Sequence, residues 1–246
     1  IIHEKSPKMI KIQKKKLKLK KIIWISELKK IKKKPTIFIA NEFFDSIAIK
    51  QFIKIKNLWF EKYVKVEKNK SMFFFNKKID MEKFEKKIKF NISENQNFIE
   101  YSLSGLEYLK IITKLIKKNN GGILIIDYGY FEKKMKNTLR AISNHKYSNI
   151  LENIGKSDIT YDINFYIFRK LINQLGGVRD IVTTQRDFLI KMGIEKRAEI
   201  ISKNQIFSKK ADIYYRLKKL IDKNQMGKVF KVMFIKRQEN NYKLGF

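Results

Sequence analysis

PTIFIANEFFDSIAIKQF, residues 35–52, is the stretch on which the fold reading turns. It opens with TIFIA at 36–40, too short for a helix and rich in β-branched and aromatic side chains, which predicts a buried strand. The run halts at Asn41 and Glu42, followed by Phe43, Phe44 and Asp45. Ligands of open α/β sheets bind beyond the carboxyl ends of parallel strands, so a strand ending in an amide and carboxylates predicts a site there. Glu42 and Asp45, beside paired aromatics, could hold a cationic group bidentately, and a planar guanidinium fits that geometry best. A helix N-cap at Asn41 or Asp45, with Phe43 and Phe44 in the core, accounts for the same residues equally well.

Upstream, IIHE at 1–4 reads as the tail of a strand ending in Glu4. A carboxylate so placed can accept hydrogen bonds from both ribose hydroxyls of a nucleotide cofactor; a plain surface acid at a loop start is the other reading. Ser6 and Pro7 start a lysine-rich helix to about Lys20, with IIWI at 22–25 as the next strand and one helical turn around Leu28 and Ile31. Downstream, residues 47–102 read as an inserted β-rich lobe: LWFEKYVKV at 58–66 alternates, MFFF at 72–75 completes an antiparallel hairpin, and FIEY at 98–101 closes it. SGLE at 104–107 is a capping box that puts Ser104 at a helix start. Tyr108, Ile111, Ile112, Leu115 and Ile116 then repeat at helical spacing, and NNGG at 119–122 ends the helix.

ILII at 123–126 is a second buried strand, stopping at DYGY, 127–130. Asp127 and Tyr128 could line the same cleft, or DYGY could be a turn that needs its glycine. Residues 139–147 show no regular pattern, and His145, the one candidate imidazole base, sits in a loop with nothing local to orient it. Asp158, Thr160 and Asp162 form a pocket wall or serve as consecutive capping residues; Asp162 or Asn164 caps a helix that runs to Leu175. A strand at 178–183, short helices at 185–192, 198–203 and 208–223, and a closing strand at 229–235 complete the chain. The succession is that of an α/β domain.

The 246 residues suffice for one large domain, 1–246, carrying one inserted lobe. The net charge of +32 invites a nucleic-acid reading, yet the basic residues are almost all lysine. Lysine, isoleucine, asparagine and phenylalanine are in joint excess, the skew of an AT-rich coding genome; solvated surfaces explain it better than a phosphate-binding face. No cysteine and only His3 and His145 as imidazoles leave no thiolate site and no expected metal. No apolar run reaches membrane-spanning length. The chain opens on Ile inside a strand, which reads as a protein lacking its N-terminal part.

IIHEKSPKMIKIQKKKL, IANEFFDSIAIKQF, GGILIIDYGY, GKSDITYDINF, VTTQRDFLIKMGI and MGKVFKV occur in this order. Together they resemble the S-adenosylmethionine-dependent methyltransferases named for mitochondrial dysfunction protein A (MidA), a family that includes the mitochondrial arginine methyltransferase of complex I assembly and many bacterial members. The resemblance implies a class I, Rossmann-like methyltransferase sheet with helices on both faces, its first strand and glycine-rich loop lying before residue 1. It implies S-adenosylmethionine as cofactor, bound by Glu4, Asn41 and Asp127. It implies Glu42, Asp45 and Asn41 as catalytic residues, and Phe43, Phe44, Tyr128, Asp158, Thr160 and Asp162 as the substrate pocket. The implied partner is a protein substrate, a respiratory complex I-type subunit, in a bacterial cytoplasm or, for a eukaryotic chain, the mitochondrial matrix. The competing expectations are an assembly or scaffold factor with a degenerate cofactor site, and an RNA-binding protein.

Overall fold

The computed structural model describes residues 1–17, 21–68, 71–144, 146–152 and 154–246. The chain begins with β1, Ile2–His3, which pairs in parallel with β2, Trp24–Ile25, through α1, Pro7–Lys16. Ser6 caps α1 by accepting the Met9 N–H. The helix ends at Lys16, short of the expected Lys20, and 18–20 lie outside the described residues. A 3-10 turn at Leu28–Lys30 leads to β3, Thr36–Asn41.

The lobe that follows is built from β4, Lys50–Ile55; β5, Leu58–Val66; β6, Met72–Ile79; α2, Met81–Ile88; and β7, Phe98–Tyr101. Its sheet runs β6-β5-β4-β7, all antiparallel. Helix α2, which the sequence reading passes over, starts where Asp80 accepts the Lys83 N–H and buries Met81 and Ile88. Next comes α3, Leu103–Asn119. Its cap is Ser102, whose Oγ accepts the Gly105 N–H at 3.0 Å, and not Ser104. Tyr101 is still paired with Lys50, so the first residue free to leave the strand is Ser102. Ser104 falls inside the first turn, and Glu107 pairs with Lys110 instead of closing a capping box.

Strand β8, Gly121–Tyr130, is the axis of the main sheet. The expected stop at Asp127 does not occur, because two strands share one edge of β8. β3 pairs in parallel from Thr36↔Gly121 to Asn41↔Ile126. Beyond a small antiparallel sheet of β9, Arg140–Ser143, β10, Lys146–Ser148, and β11, Asp158–Thr160, strand β12, Ile163–Asn164, takes over that edge at Gly129 and Tyr130. Gly129 is therefore a strand residue and not a turn: a Cβ there would stand 2.3 Å from the Ile163 carbonyl oxygen. His145 lies outside the described residues.

The rest is α4, Phe165–Leu175, capped by Asn164; β13, Val178–Thr184; α5, Gln185–Lys191; α6, Ile194–Ser202; α7, Phe207–Ile221; α8, Met226–Val229; and β14, Phe230–Arg237. β14 runs antiparallel between β8 and β13. Ile123, Ile125, Met233 and Ile235 point to one face, under α3 and α4, and form the core with Ile112, Ile116 and Leu171. Leu124 and Phe234 point to the other, where Phe188 of α5 and the returning tail, with Phe246 beside Phe234, lie. β3 is buried on one face only: Ala40 is covered, while Ile37 is 62% and Ile39 72% exposed. Among the described residues its outer edge pairs with no strand. No helix among them is long and apolar enough to cross a membrane.

Candidate active site at the end of the third strand

Where β3 ends, Glu42 takes a left-handed backbone conformation, φ 46°, and its N–H still donates to the Ile126 carbonyl at 3.0 Å. A non-glycine residue held there is unusual and turns the chain sharply out of the sheet. The turn drops the N–H groups of Phe44 and Asp45 onto Asp127 Oδ2, at 3.0 and 3.4 Å. Asp127 Oδ1 accepts its neighbour's N–H, from Tyr128, at 3.0 Å. Asp127 is thus a fully buried strut inside a strand; it does not face the cleft as a strand-end acid would. Burial, then the nearby Asp45, raises its carboxyl to about 7 against the pull of the three N–H donors.

Asp45 is itself buried. Its Oδ2 accepts from Thr160 Oγ1 at 3.0 Å, and its Oδ1 has no hydrogen-bond partner among the described residues. Burial raises its carboxyl, and Thr160 and Arg140 draw it back down. Tyr161 donates its hydroxyl to the Phe44 carbonyl at 3.0 Å, fixing the turn from the far side. The Arg140 guanidinium lies 5.7 Å from the centre of the Tyr128 ring, and its Nη2 stands 2.7 Å from Asp162 Oδ1 without hydrogen-bond alignment. Burial raises the Tyr128 hydroxyl, with Glu42 and Asp45 adding to it, so Glu42 belongs to the same electrostatic cluster.

The four-stranded sheet β6-β5-β4-β7 holds this corner in place. Buried Glu100 of β7 accepts the N–H groups of Thr138 and Leu139 at 3.0 and 3.2 Å and the Gln51 amide at 2.6 Å. Thr138 Oγ1 donates to Glu100 and accepts the Asp162 N–H at 2.8 Å. The loop before Arg140 is therefore pinned by a carboxylate from that sheet, which sets the position of a residue some forty positions away in the chain.

Between β1 and the bare edge of β3 opens a cleft of about 430 Å³, lined by His3, Ile25, Ala40, Asn41, Phe43 and Tyr108 among others. His3 Nδ1 lies 3.2 Å from the Ile25 carbonyl, which makes it the donor and leaves Nε2 to accept from Tyr108, also at 3.2 Å. Glu4 accepts the Ser6 N–H at 2.9 Å and the Gln13 amide at 3.3 Å, and Gln13 accepts the Trp24 indole N–H at 2.8 Å. Each Glu4 oxygen keeps a lone pair free. The residues present thus fit one side of a nucleotide site: an acid at a parallel-strand end, an amide at the next, and an aromatic wall. Among the described residues no glycine lines this cleft.

Of the residues read from the sequence, the structure gathers Glu42, Asp45, Asp127, Tyr128, Thr160 and Asp162 into one corner, and sets Asn41 and Phe43 on the adjoining cleft, with Glu4 one residue beyond its His3 wall. Phe44 is fully buried beneath them and cannot line a pocket. Asp158 is exposed at the outer strand of the small sheet, away from these contacts. The sequence reading missed Arg140, Tyr161, Tyr108 and Glu100. Glu100 alone had a local signal, an acid amid the apolar strand FIEY. Among the described residues no cluster of His, Asp or Glu could hold a metal ion.

A family model described as "Putative S-adenosyl-L-methionine-dependent methyltransferase" matches residues 1–182. The mitochondrial protein arginine methyltransferase NDUFAF7 of Danio rerio is 27% identical over 216 residues, covering 85% of this chain and 49% of its own. Its Caenorhabditis elegans homologue is 30% identical over 179 residues, covering 72% and 42%. The chain spans about half the length of these relatives. A Burkholderia thailandensis protein solved bound to S-adenosyl-homocysteine superposes with a TM-score of 0.72 at 18% identity, over 91% of this chain and 58% of that one. At that identity the likeness concerns the fold.

Proposed function

The chain belongs to the S-adenosyl-L-methionine-dependent methyltransferase family whose model it matches, and from that premise we propose that it methylates the guanidinium of an arginine in a protein substrate. The observation that carries this reading is the acidic corner at the end of β3, where the sharply turned, exposed Glu42 stands beside Asp45, whose buried Oδ1 has no hydrogen-bond partner among the described residues. A guanidinium supplies planar paired donors to such a group. The cofactor, when bound, supplies the methyl group on a sulfonium. Glu4 and Asn41 hold it across the cleft; Glu42 and Asp45 grip and orient the guanidinium; Phe43, Tyr128, Thr160 and Asp162 wall the substrate. Asp127 acts from beneath, by fixing the turn that presents Asp45. The chain's own contribution is positioning and electrostatics.

That the relatives are named protein arginine methyltransferases supports an arginine substrate. The sequence resemblance extends this to a respiratory complex I-type subunit, in a bacterial cytoplasm or, for a eukaryotic chain, the mitochondrial matrix. The test is transfer of labelled methyl from S-adenosylmethionine to arginine-containing protein, using a chain extended to its relatives' length. Glu42→Gln should lower turnover on the order of 100-fold while S-adenosylhomocysteine binding by calorimetry stays near normal; unchanged turnover removes Glu42 from the site. The competing reading is a fold serving as an assembly scaffold without transfer. Failure of the extended chain to bind the cofactor would select it.

A further inference from the structure

On the opposite face of the main sheet from α3 and α4 lies a cavity of about 530 Å³ with mostly apolar walls, among them Leu124, Phe188, Phe234 and Phe246. Lys236 lines it, is 1% exposed, and its Nζ is buried with no hydrogen-bond partner among the described residues. A buried ammonium without an acceptor is costly and rare in a folded chain. Arg179 stands directly across the strand pair from Lys236. It ties down the tail through the Asn240 carbonyl and, at 2.9 Å, the Asn241 side chain, yet its own Nε is also buried and unpartnered. Burial lowers the Lys236 ammonium's pKa, and Arg179 and Lys243 lower it further. Among the described residues no acid lines the cavity.

We propose that this cavity binds a monocarboxylate carried on an apolar chain, with Lys236 as counter-ion to the carboxylate and the aromatic walls around the chain. The volume is within the range of small-ligand pockets, and a lone cation bordering apolar walls, its buried Nζ brought to the ligand by a side-chain shift, selects for a single anionic head. This site does not include the acidic corner at the end of β3, although Ile37 and Ile39 border both this cavity and the cleft beside β1, and its ligand binding does not depend on methyl transfer.

The test is calorimetric titration of the 246-residue chain with decanoate below its micelle concentration, with 1-decanol as the neutral comparator and butyrate as the head without the chain. Butyrate also controls for the general attraction of a chain of net charge +32 for anions. Decanoate should bind saturably, at least about tenfold tighter than either comparator. Lys236→Met should abolish the preference for decanoate over decanol and leave decanol binding in place. Ile39→Trp, at an exposed position on the cavity wall, should block both and tests the cavity should Lys236→Met fail to fold. Decanoate binding no tighter than butyrate, or unaffected by both substitutions, overturns the proposal.

Discussion

Asp127 and Lys236 stand on neighbouring strands of one sheet, both shut off from water, and the chain serves them in opposite ways. Asp127 sits where β3 ends, under a turn that directs two N–H groups onto one of its oxygens while Tyr128 supplies the other. Lys236 sits where β14 nears its end, and no acceptor reaches its Nζ among the described residues. The first buried charge is part of the scaffold's own hydrogen bonding; the second is a demand that the chain leaves open. The contrast separates a residue retained for architecture from one that points to something outside the chain.

The sharpest way to break the contrast is Asp127→Ala. It strands the Phe44 and Asp45 N–H groups in the core at ~1–3 kcal/mol each, so the denaturation midpoint should fall by a stability loss of about 3 kcal/mol or more. A loss below ~1 kcal/mol would show that the turn does not depend on this carboxylate.

The next effect is in pH. Asp127 is raised to about 7 in the folded chain, against about 4 when unfolded, so the folded state holds the proton more tightly. Its contribution is fully present below about pH 4 and is lost as pH rises toward 7, at ~1.4 kcal/mol for each unit separating the two values. Urea midpoints measured across that interval should fall with pH in the native chain and stay flatter in Asp127→Asn; the same slope in both would refute the assignment.

The smallest effect should have the opposite sign. Replacing Lys236 by Met removes an unpaired buried charge at similar length and should raise stability by about 1 kcal/mol in thermal melts without ligand. A loss would mean that Nζ finds a partner in solution.

The acidic corner was half legible from the sequence, for definite reasons. TIFIA followed by Asn41 and Glu42 marks a strand and its end through local pattern alone. The end of β8 carries no such mark. Asp127 looks like a stop because acids rarely sit within buried strands, and only the arrival of β12 beside Gly129, some thirty residues later in the chain, lets the strand continue past it. Ser102 and Ser104 are equal candidates for a cap until the pairing of Tyr101 with Lys50 decides between them. Arg140 lies on a strand without alternation, and its place beside Tyr128 and Asp162 is set by Glu100, from the four-stranded sheet. Lys236 lay just past the closing strand read at 229–235, whereas β14 runs on to Arg237, and nothing local distinguishes a buried lysine from the many solvated ones in a lysine-rich chain.

The bare edge of β3 bears on how the chain behaves in a test tube. Among the described residues the outer backbone groups of β3 pair with no strand, and such a row, flanked by outward-facing Ile37 and Ile39, is a template for strand addition from any neighbour with a free segment. Electrostatic repulsion between copies of such a cationic molecule opposes that encounter, and salt weakens the repulsion. Colloidal stability of this chain should therefore fall as ionic strength rises, with β3 the seam along which aggregates grow.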